Sequence, residues 1–236
     1  MTTTLITGSN KGLGYETARQ LVAAGHTVYA GARDPGRGRR AAERLGARFV
    51  QLDVTDDASV TAAANAIGAD GGLDVLVNNA GIEGRTPGNR VVGAADETAE
   101  HVLAVLDTNM LGTIRVLRAF LPLLQRSAAP VVVNVSSLLS RTAELAGPRG
   151  PLRFYPGVAY PASKAGVNMV TVQYAKAFPG ISGCQLSRTT SLGPGRPHGY
   201  PWASRSRPSP APFGPSGASL PPRPAGSSPS SPSAPA

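Results

Sequence analysis

Thr3-Thr4-Leu5-Ile6-Thr7-Gly8-Ser9-Asn10-Lys11-Gly12-Leu13-Gly14, followed by Tyr15 to Gly25, is the stretch whose reading decides the architecture. The run Thr3 to Thr7 is β-branched and aliphatic and predicts a strand. A helical pattern follows from about Leu13 to Ala24, and Gly25 falls where that helix should stop. Between them lies a turn of spacing G-x-x-x-G-x-G, distinct from the commoner G-x-G-x-x-G. Glycines there let backbone approach a ligand, and the N-terminus of the next helix offers free N–H groups and a positive dipole end to a phosphate. A glycine-rich turn with no ligand would carry the same letters, so the motif has to be weighed with its surroundings.

Outward from this unit the pattern repeats. Further strands are expected near Thr27 to Gly31, Arg48 to Leu52, Leu73 to Asn78 and Val131 to Ser136. Helical patterns lie at about Arg39 to Leu45, Asp57 to Ile67, Glu97 to Gln125 and Tyr160 to Phe178. Gly46 marks a helix end and Asp56 precedes a helix as a candidate N-cap. Five strand and helix pairs in alternation predict an α/β fold with a doubly wound parallel sheet, the Rossmann fold.

The carboxyl ends of the strands carry the chemically suggestive residues, on the edge where open α/β sheets bind ligands. The second strand ends Gly31-Ala32-Arg33, with no acid to accept from a ribose 2′-hydroxyl. Arg33, with Lys11 in the glycine turn, offers cations to a 2′-phosphate, which favours NADP over NAD. Asp53-Val54 closes the third strand and Asn78-Asn79-Ala80-Gly81 the fourth. Tyr160-Pro161-Ala162-Ser163-Lys164 places a phenol and an ammonium on one helical face, where the cation favours the phenolate and makes the phenol a usable proton donor. Ser136 and Ser137 end the fifth strand, within reach of a substrate oxygen. Each motif alone is weak, since turn residues and surface cations are common.

Together, in this order, these residues resemble the short-chain dehydrogenase/reductase family, in its NADP-dependent carbonyl-reductase-like branch. The family's T-G-x-x-x-G-x-G is met by Thr7, Gly8, Gly12 and Gly14, and its N-N-A-G by Asn78 to Gly81. The resemblance covers residues 1 to about 178 and implies a catalytic set of Asn109, Ser137, Tyr160 and Lys164. Ser137 is taken over Ser136 because the family's active serine holds the last place of V-x-V-S-S, here Val133 to Ser137. It implies cofactor binding by Gly8, Asn10, Lys11, Gly12, Leu13, Gly14, Arg33, Asp53, Val54, Asn79, Ala80 and Gly81, with Tyr160 and Lys164; Asp53 and Val54 would lie beside the adenine. The implied reaction is hydride transfer between nicotinamide C4 and a small-molecule carbonyl or alcohol. In it the tyrosine exchanges the proton, the lysine tunes it and holds the nicotinamide ribose, the serine orients the carbonyl, and the asparagine supports a water relay from a helix irregularity.

The sequence departs from the family twice. The segment between Ser137 and Tyr160 is longer than in compact members, and reads equally as a cover for the substrate pocket or as a tolerated surface loop. After Phe178, Gly180 to Leu186 makes a poor sixth strand, and from Ser187 to Ala236 there are 13 Pro, 12 Ser and 6 Gly, a composition that resists helix and sheet. The expected organisation is a nucleotide-binding catalytic domain over residues 1–182, incomplete at its C-terminal end, and a disordered tail over residues 183–236. The tail reads as a shifted reading frame or as a genuine extension.

The chain has 236 residues, 41% hydrophobic, which suits one ordinary core. Its net charge of +9 is uneven: no acid follows Glu144, and five dispersed arginines, Arg188, Arg196, Arg205, Arg207 and Arg223, sit in the tail. That is not a folded basic stripe, so no nucleic-acid partner is expected. The single cysteine, Cys184, gives no internal disulfide or cysteine-built zinc site, and three scattered histidines give no metal spacing. No run reaches the roughly 18 apolar residues of a membrane span. A cytoplasmic protein without metal or membrane partner is expected, with a homo-oligomer through the long helices left open. The competing reading is a catalytically impaired nucleotide-binding remnant of the family, without the substrate-binding region.

Overall fold

The computed structural model describes residues 1–147 and 151–188. Six parallel strands form one sheet in the order β3-β2-β1-β4-β5-β6. β1 (Thr3–Thr7) leads through the glycine turn into α1 (Gly12–Ala23), then β2 (Thr27–Ala32), α2 (Pro35–Leu45), β3 (Arg48–Gln51) and α3 (Asp57–Ala69). The chain then crosses to β4 (Val75–Asn78), which pairs with the other side of β1, and continues through α4 (Ala99–Leu106) and α5 (Gly112–Leu124) to β5 (Val131–Ser137). A short helix α6 (Thr142–Ala146) and the long α7 (Ala159–Ala177) precede β6 (Ser182–Arg188). The strand order reverses between β1 and β4, and a crevice opens at the carboxyl ends there.

Alternation along the strands builds a core on each face. Leu5 and Ile6 are both fully buried but belong to different clusters, as do Leu76 and Val77. Leu5 and Leu76 pack with Val60 and Ile67 of α3 and with Val116, Leu117, Phe120 and Leu124 of α5. Ile6 and Val77 pack with Ala18 of α1 and Leu45 of α2. Both faces are thus covered, as a parallel sheet requires.

The structure revises several expected boundaries. α2 begins at Pro35, four residues before the apolar pattern, because the Asp34 side chain accepts from Arg37 N–H at 2.7 Å and Pro35 occupies the first turn. The pattern from Glu97 to Gln125 is two helices joined by a π turn, Asp107–Leu111. β6 pairs with β5 from Val131↔Ser182 to Ser137↔Arg188, so the sheet runs past residue 182 where the catalytic domain was expected to end. The expected tail beyond Arg188 lies outside the described residues.

Candidate active site

The crevice is a cleft of about 890 Å3 running from the glycine turn to the start of α7. Fifteen of the sixteen residues expected to act line it: Gly8, Asn10, Lys11, Gly12, Leu13 and Gly14 from the turn; Arg33; Asp53 and Val54; Asn79, Ala80 and Gly81; and Ser137, Tyr160 and Lys164. Asn109 does not line it and lies buried behind Gly81 and Ile82.

The glycine turn is held from behind. Thr7 Oγ1 accepts from the N–H groups of Asn79 and Ala80 at 3.0 and 2.9 Å, and Asn79 Nδ2 donates to the carbonyls of Thr7 and Gly8 at 2.9 and 3.1 Å. These bonds tie the carboxyl ends of β1 and β4 together at the reversal point. Gly8 has φ +66°, and a Cβ there would stand 2.9 Å from Ala80 Cα. A Cβ on Gly14 would stand 2.7 Å from the Gly8 carbonyl and against Asn79 Nδ2. The backbone is therefore close-packed underneath and bare above, with the first turn of α1 opening onto the cleft. This cradle fits a dinucleotide pyrophosphate on geometry.

Arg33 and Lys11 are exposed on the cleft rim. Asp34, the nearest acid, is occupied: it caps α2 and pairs with Arg37 at 3.4 Å. The carboxylate of Asp53 accepts from Thr55 N–H and Oγ1 at 3.0 and 2.8 Å, a local turn that fixes the end of β3.

At the other end, α7 opens with Tyr160 in its first turn and Lys164 one turn later. Lys164 Nζ lies 5.8 Å from the centre of the Tyr160 ring and donates to the Val135 carbonyl at 2.7 Å. Burial, with only 4% of the residue exposed, pulls its amine down to about 8. Ser137, the last residue of β5, is buried and its Oγ accepts from Leu139 N–H at 3.2 Å. Asn109 sits in the π turn, a common device at functional sites. Its Oδ1 accepts from Ile82 N–H at 2.8 Å, and its Nδ2 donates to the Ile82 carbonyl at 2.8 Å and to Ser163 Oγ at 2.9 Å. Ser163 Oγ in turn donates to the Tyr160 carbonyl at 2.7 Å, so Asn109 joins the β4 loop to the first turn of α7.

Sequence reasoning missed several cleft residues. The segment between Ser137 and Tyr160 contributes Leu152, Phe154 and Tyr155 to the cleft wall, which favours the cover reading over the surface-loop reading. Tyr155 O–H donates to Glu83 Oε1 at 2.9 Å and the Pro156 carbonyl accepts from Ala94 N–H at 3.0 Å, clipping the insert to the loop after β4. Burial and the Glu83 carboxylate push the Tyr155 phenol well above its usual range. Glu83 also pairs with Arg85 at 2.7 Å. No local motif marks Glu83 or Tyr155, since their meeting depends on contact across 72 residues. Among the described residues there is no cluster of three metal-ligating side chains, and no helix is long and apolar enough to cross a membrane.

A glycine cradle at the reversal point and a Ser, Tyr and Lys group at the far end of the same cleft place the chain in the doubly wound, Rossmann class of folds. The sequence profile of the short chain dehydrogenase family matches residues 2–180, and the chain belongs to that family. Short-chain dehydrogenase/reductase 1 of Saponaria officinalis is 39% identical over 168 residues, covering 61% of this chain and 56% of that protein. The NADPH carbonyl reductase 1 of Bos taurus is 41% identical over 146 residues, covering 58% of this chain and 49% of that protein. The NADPH-bound carbonyl reductase from chicken fatty liver superposes with a TM-score of 0.69 at 30% identity, covering 78% of each chain. The chain spans about half the length of the curated relatives it matches.

Proposed function

We propose that this chain is an NADP-dependent oxidoreductase that interconverts a small-molecule carbonyl and its alcohol, with Tyr160 as the proton donor and acceptor. The observation that carries the reading is the placement of Ser137, Tyr160 and Lys164 on one wall of the cleft whose other end is the glycine cradle. Gly8 to Gly14 would hold the pyrophosphate, Asp53 and Val54 the adenine side, and Lys11 and Arg33 a 2′-phosphate. Two exposed cations on that rim, with Asp34 engaged by Arg37, favour NADP over NAD. The carbonyl reductases among the relatives, named for NADPH, support the same choice.

NADPH, when bound, supplies the hydride to the carbonyl carbon. Tyr160 gives its phenolic proton to the carbonyl oxygen, and Ser137 Oγ donates a hydrogen bond to the same oxygen as charge grows on it. Lys164 holds positive charge beside the Tyr160 ring and favours the phenolate left behind. Asn109 keeps the first turn of α7 registered to the β4 loop through Ser163. Leu152 and Tyr155, both half-buried, wall the reacting end of the cleft.

The test is a fluorescence titration with NADPH and NADH, with the parent and Tyr160→Phe assayed on a panel of carbonyl compounds. The expected result is tighter binding of NADPH than of NADH, and turnover that falls about 100-fold or more in the variant, the scale of a lost general acid. NADPH binding with no turnover of any carbonyl would instead assign a nucleotide-binding role alone.

A further inference from the structure

We propose that Asn168 is a positioning residue: it clamps the end of β5 to α7 and thereby fixes Ser137 relative to Tyr160 and Lys164. The inference rests on the oxidoreductase reading for its kinetic consequence. Its geometric part stands on the bonds themselves.

Ser137 ends a strand and begins a tight turn, Leu138–Ser140, so its position depends on what anchors that turn. Ser140 Oγ donates to the Ser137 carbonyl at 2.5 Å. A hydroxyl has one proton, so with that proton committed Ser140 Oγ can only accept from other groups. It accepts from Asn168 Nδ2 at 2.8 Å. The other end of the same amide, Oδ1, accepts from Ser136 Oγ in a close contact. Ser136 Oγ also lies 3.4 Å from the Lys164 carbonyl. Donors and acceptors match in only one orientation of the amide. Turning it over would face Oδ1 to Ser140 and compete for the proton that holds Ser137.

Asn168 follows Tyr160 and Lys164 at four-residue intervals, so the three share one face of α7. Ser136 is fully buried, and Ser137 and Ser140 are nearly so. In such surroundings a satisfied polar chain is rigid, and an unpaired member is costly. Asn168 does not line the cleft, so it touches neither cofactor nor substrate. It acts through Ser140 and Ser136 on the residue that does.

The experiment compares the full-length parent with Asn168→Ala and the milder Ser140→Ala. Hydrogen–deuterium exchange reads the segment from Ser136 to Arg141, where Leu139 N–H donates to Ser137 Oγ and Arg141 N–H to the Leu138 carbonyl. Exchange of this segment is expected to rise about tenfold in both variants, the equivalent of about one lost hydrogen bond. NADPH affinity should stay within about twofold, and kcat should fall about tenfold with KM little changed, the pattern of lost transition-state placement. Added to Ser137→Ala, the Asn168→Ala change should lower kcat no further, because the group it positions is gone.

Unchanged exchange in both variants overturns the clamp, with or without turnover. A kcat loss that persists in full in the Ser137→Ala background overturns the link to Ser137. A parent that binds NADPH but reduces nothing refutes the oxidoreductase reading alone, and the exchange result still decides the clamp.

Discussion

Replacing Lys164 with methionine should change how stability responds to alkali. The lysine amine is buried and pulled from its ordinary 10.5 to about 8 by desolvation. In the unfolded chain it keeps its proton up to about 10.5. Between about pH 8 and pH 10.5 the unfolded state therefore binds more protons than the folded one, and folding stability rises with pH. The slope through that window is about 1.4 kcal/mol per pH unit, reaching about 3 kcal/mol at its upper end. Methionine keeps an unbranched side chain one atom shorter and removes the titration. Groups remote from Lys164 titrate alike in both proteins and cancel in the difference, and making the change in a Tyr160→Phe background removes the neighbouring phenol that the amine influences. Urea denaturation followed by circular dichroism, at intervals from about pH 7 to pH 10.5, gives the difference curve. Below pH 8 it should be flat, its sign set by the burial cost of the ammonium against its bond to the Val135 carbonyl at 2.7 Å. Above pH 8 it should climb in favour of the parent. A curve that stays level within about 0.5 kcal/mol across the window would refute the claim that burial governs this amine.

Two other outcomes follow from the same geometry. Gly14→Ala would drive Asn79 off the carbonyls of Thr7 and Gly8 and loosen the cradle; with two hydrogen bonds at about 1 kcal/mol each, NADPH should bind about 30-fold more weakly by fluorescence titration, and an unchanged affinity would contradict the close packing beneath the turn. His101, between the Glu97 carboxylate and the Gly84 carbonyl, has its imidazolium favoured chiefly by Glu97 and titrates above its ordinary value. Its extra stability is complete below about pH 6.5 and fades as pH rises through the raised value. The stability gap between the parent and His101→Gln should accordingly narrow as pH rises above about 6.5, whereas a constant gap would mean that the ring stays neutral.

The elements that the sequence reveals are those whose side chains carry the pattern. β1 is legible because Leu5 and Ile6 feed opposite cores, and the glycine turn because Gly8 and Gly14 face backbone that admits no Cβ. β6 is faint because it is held by its backbone ladder to β5, which hydropathy does not register. The first turn of α2 is hidden because Pro35 and Gly36 read as breakers, although Asp34 and Pro35 form a start signal. The same logic divides the site. Tyr160 and Lys164 are visible because they share a helix face, and Ser137 because it ends a strand. Asn168, Ser140, Glu83 and Tyr155 are invisible because each draws its meaning from a partner on another element.

The π turn at Asp107–Leu111 has a consequence for change over time. Such a turn holds one residue more than the α-helical path it replaces, and it is where Asn109 reaches Ile82 and Ser163. Deleting one residue would restore a smooth helix, which in isolation is the more stable form. Because the wide turn absorbs the extra residue locally, Val116, Leu117, Phe120 and Leu124 would still face the sheet after the deletion. What would be lost is the reach of Asn109 to Ile82 and Ser163. The core of α5 therefore does not guard the irregularity: the fold can tolerate its repair, and only the tie between the β4 loop and α7 depends on keeping a local defect that the helix alone would discard.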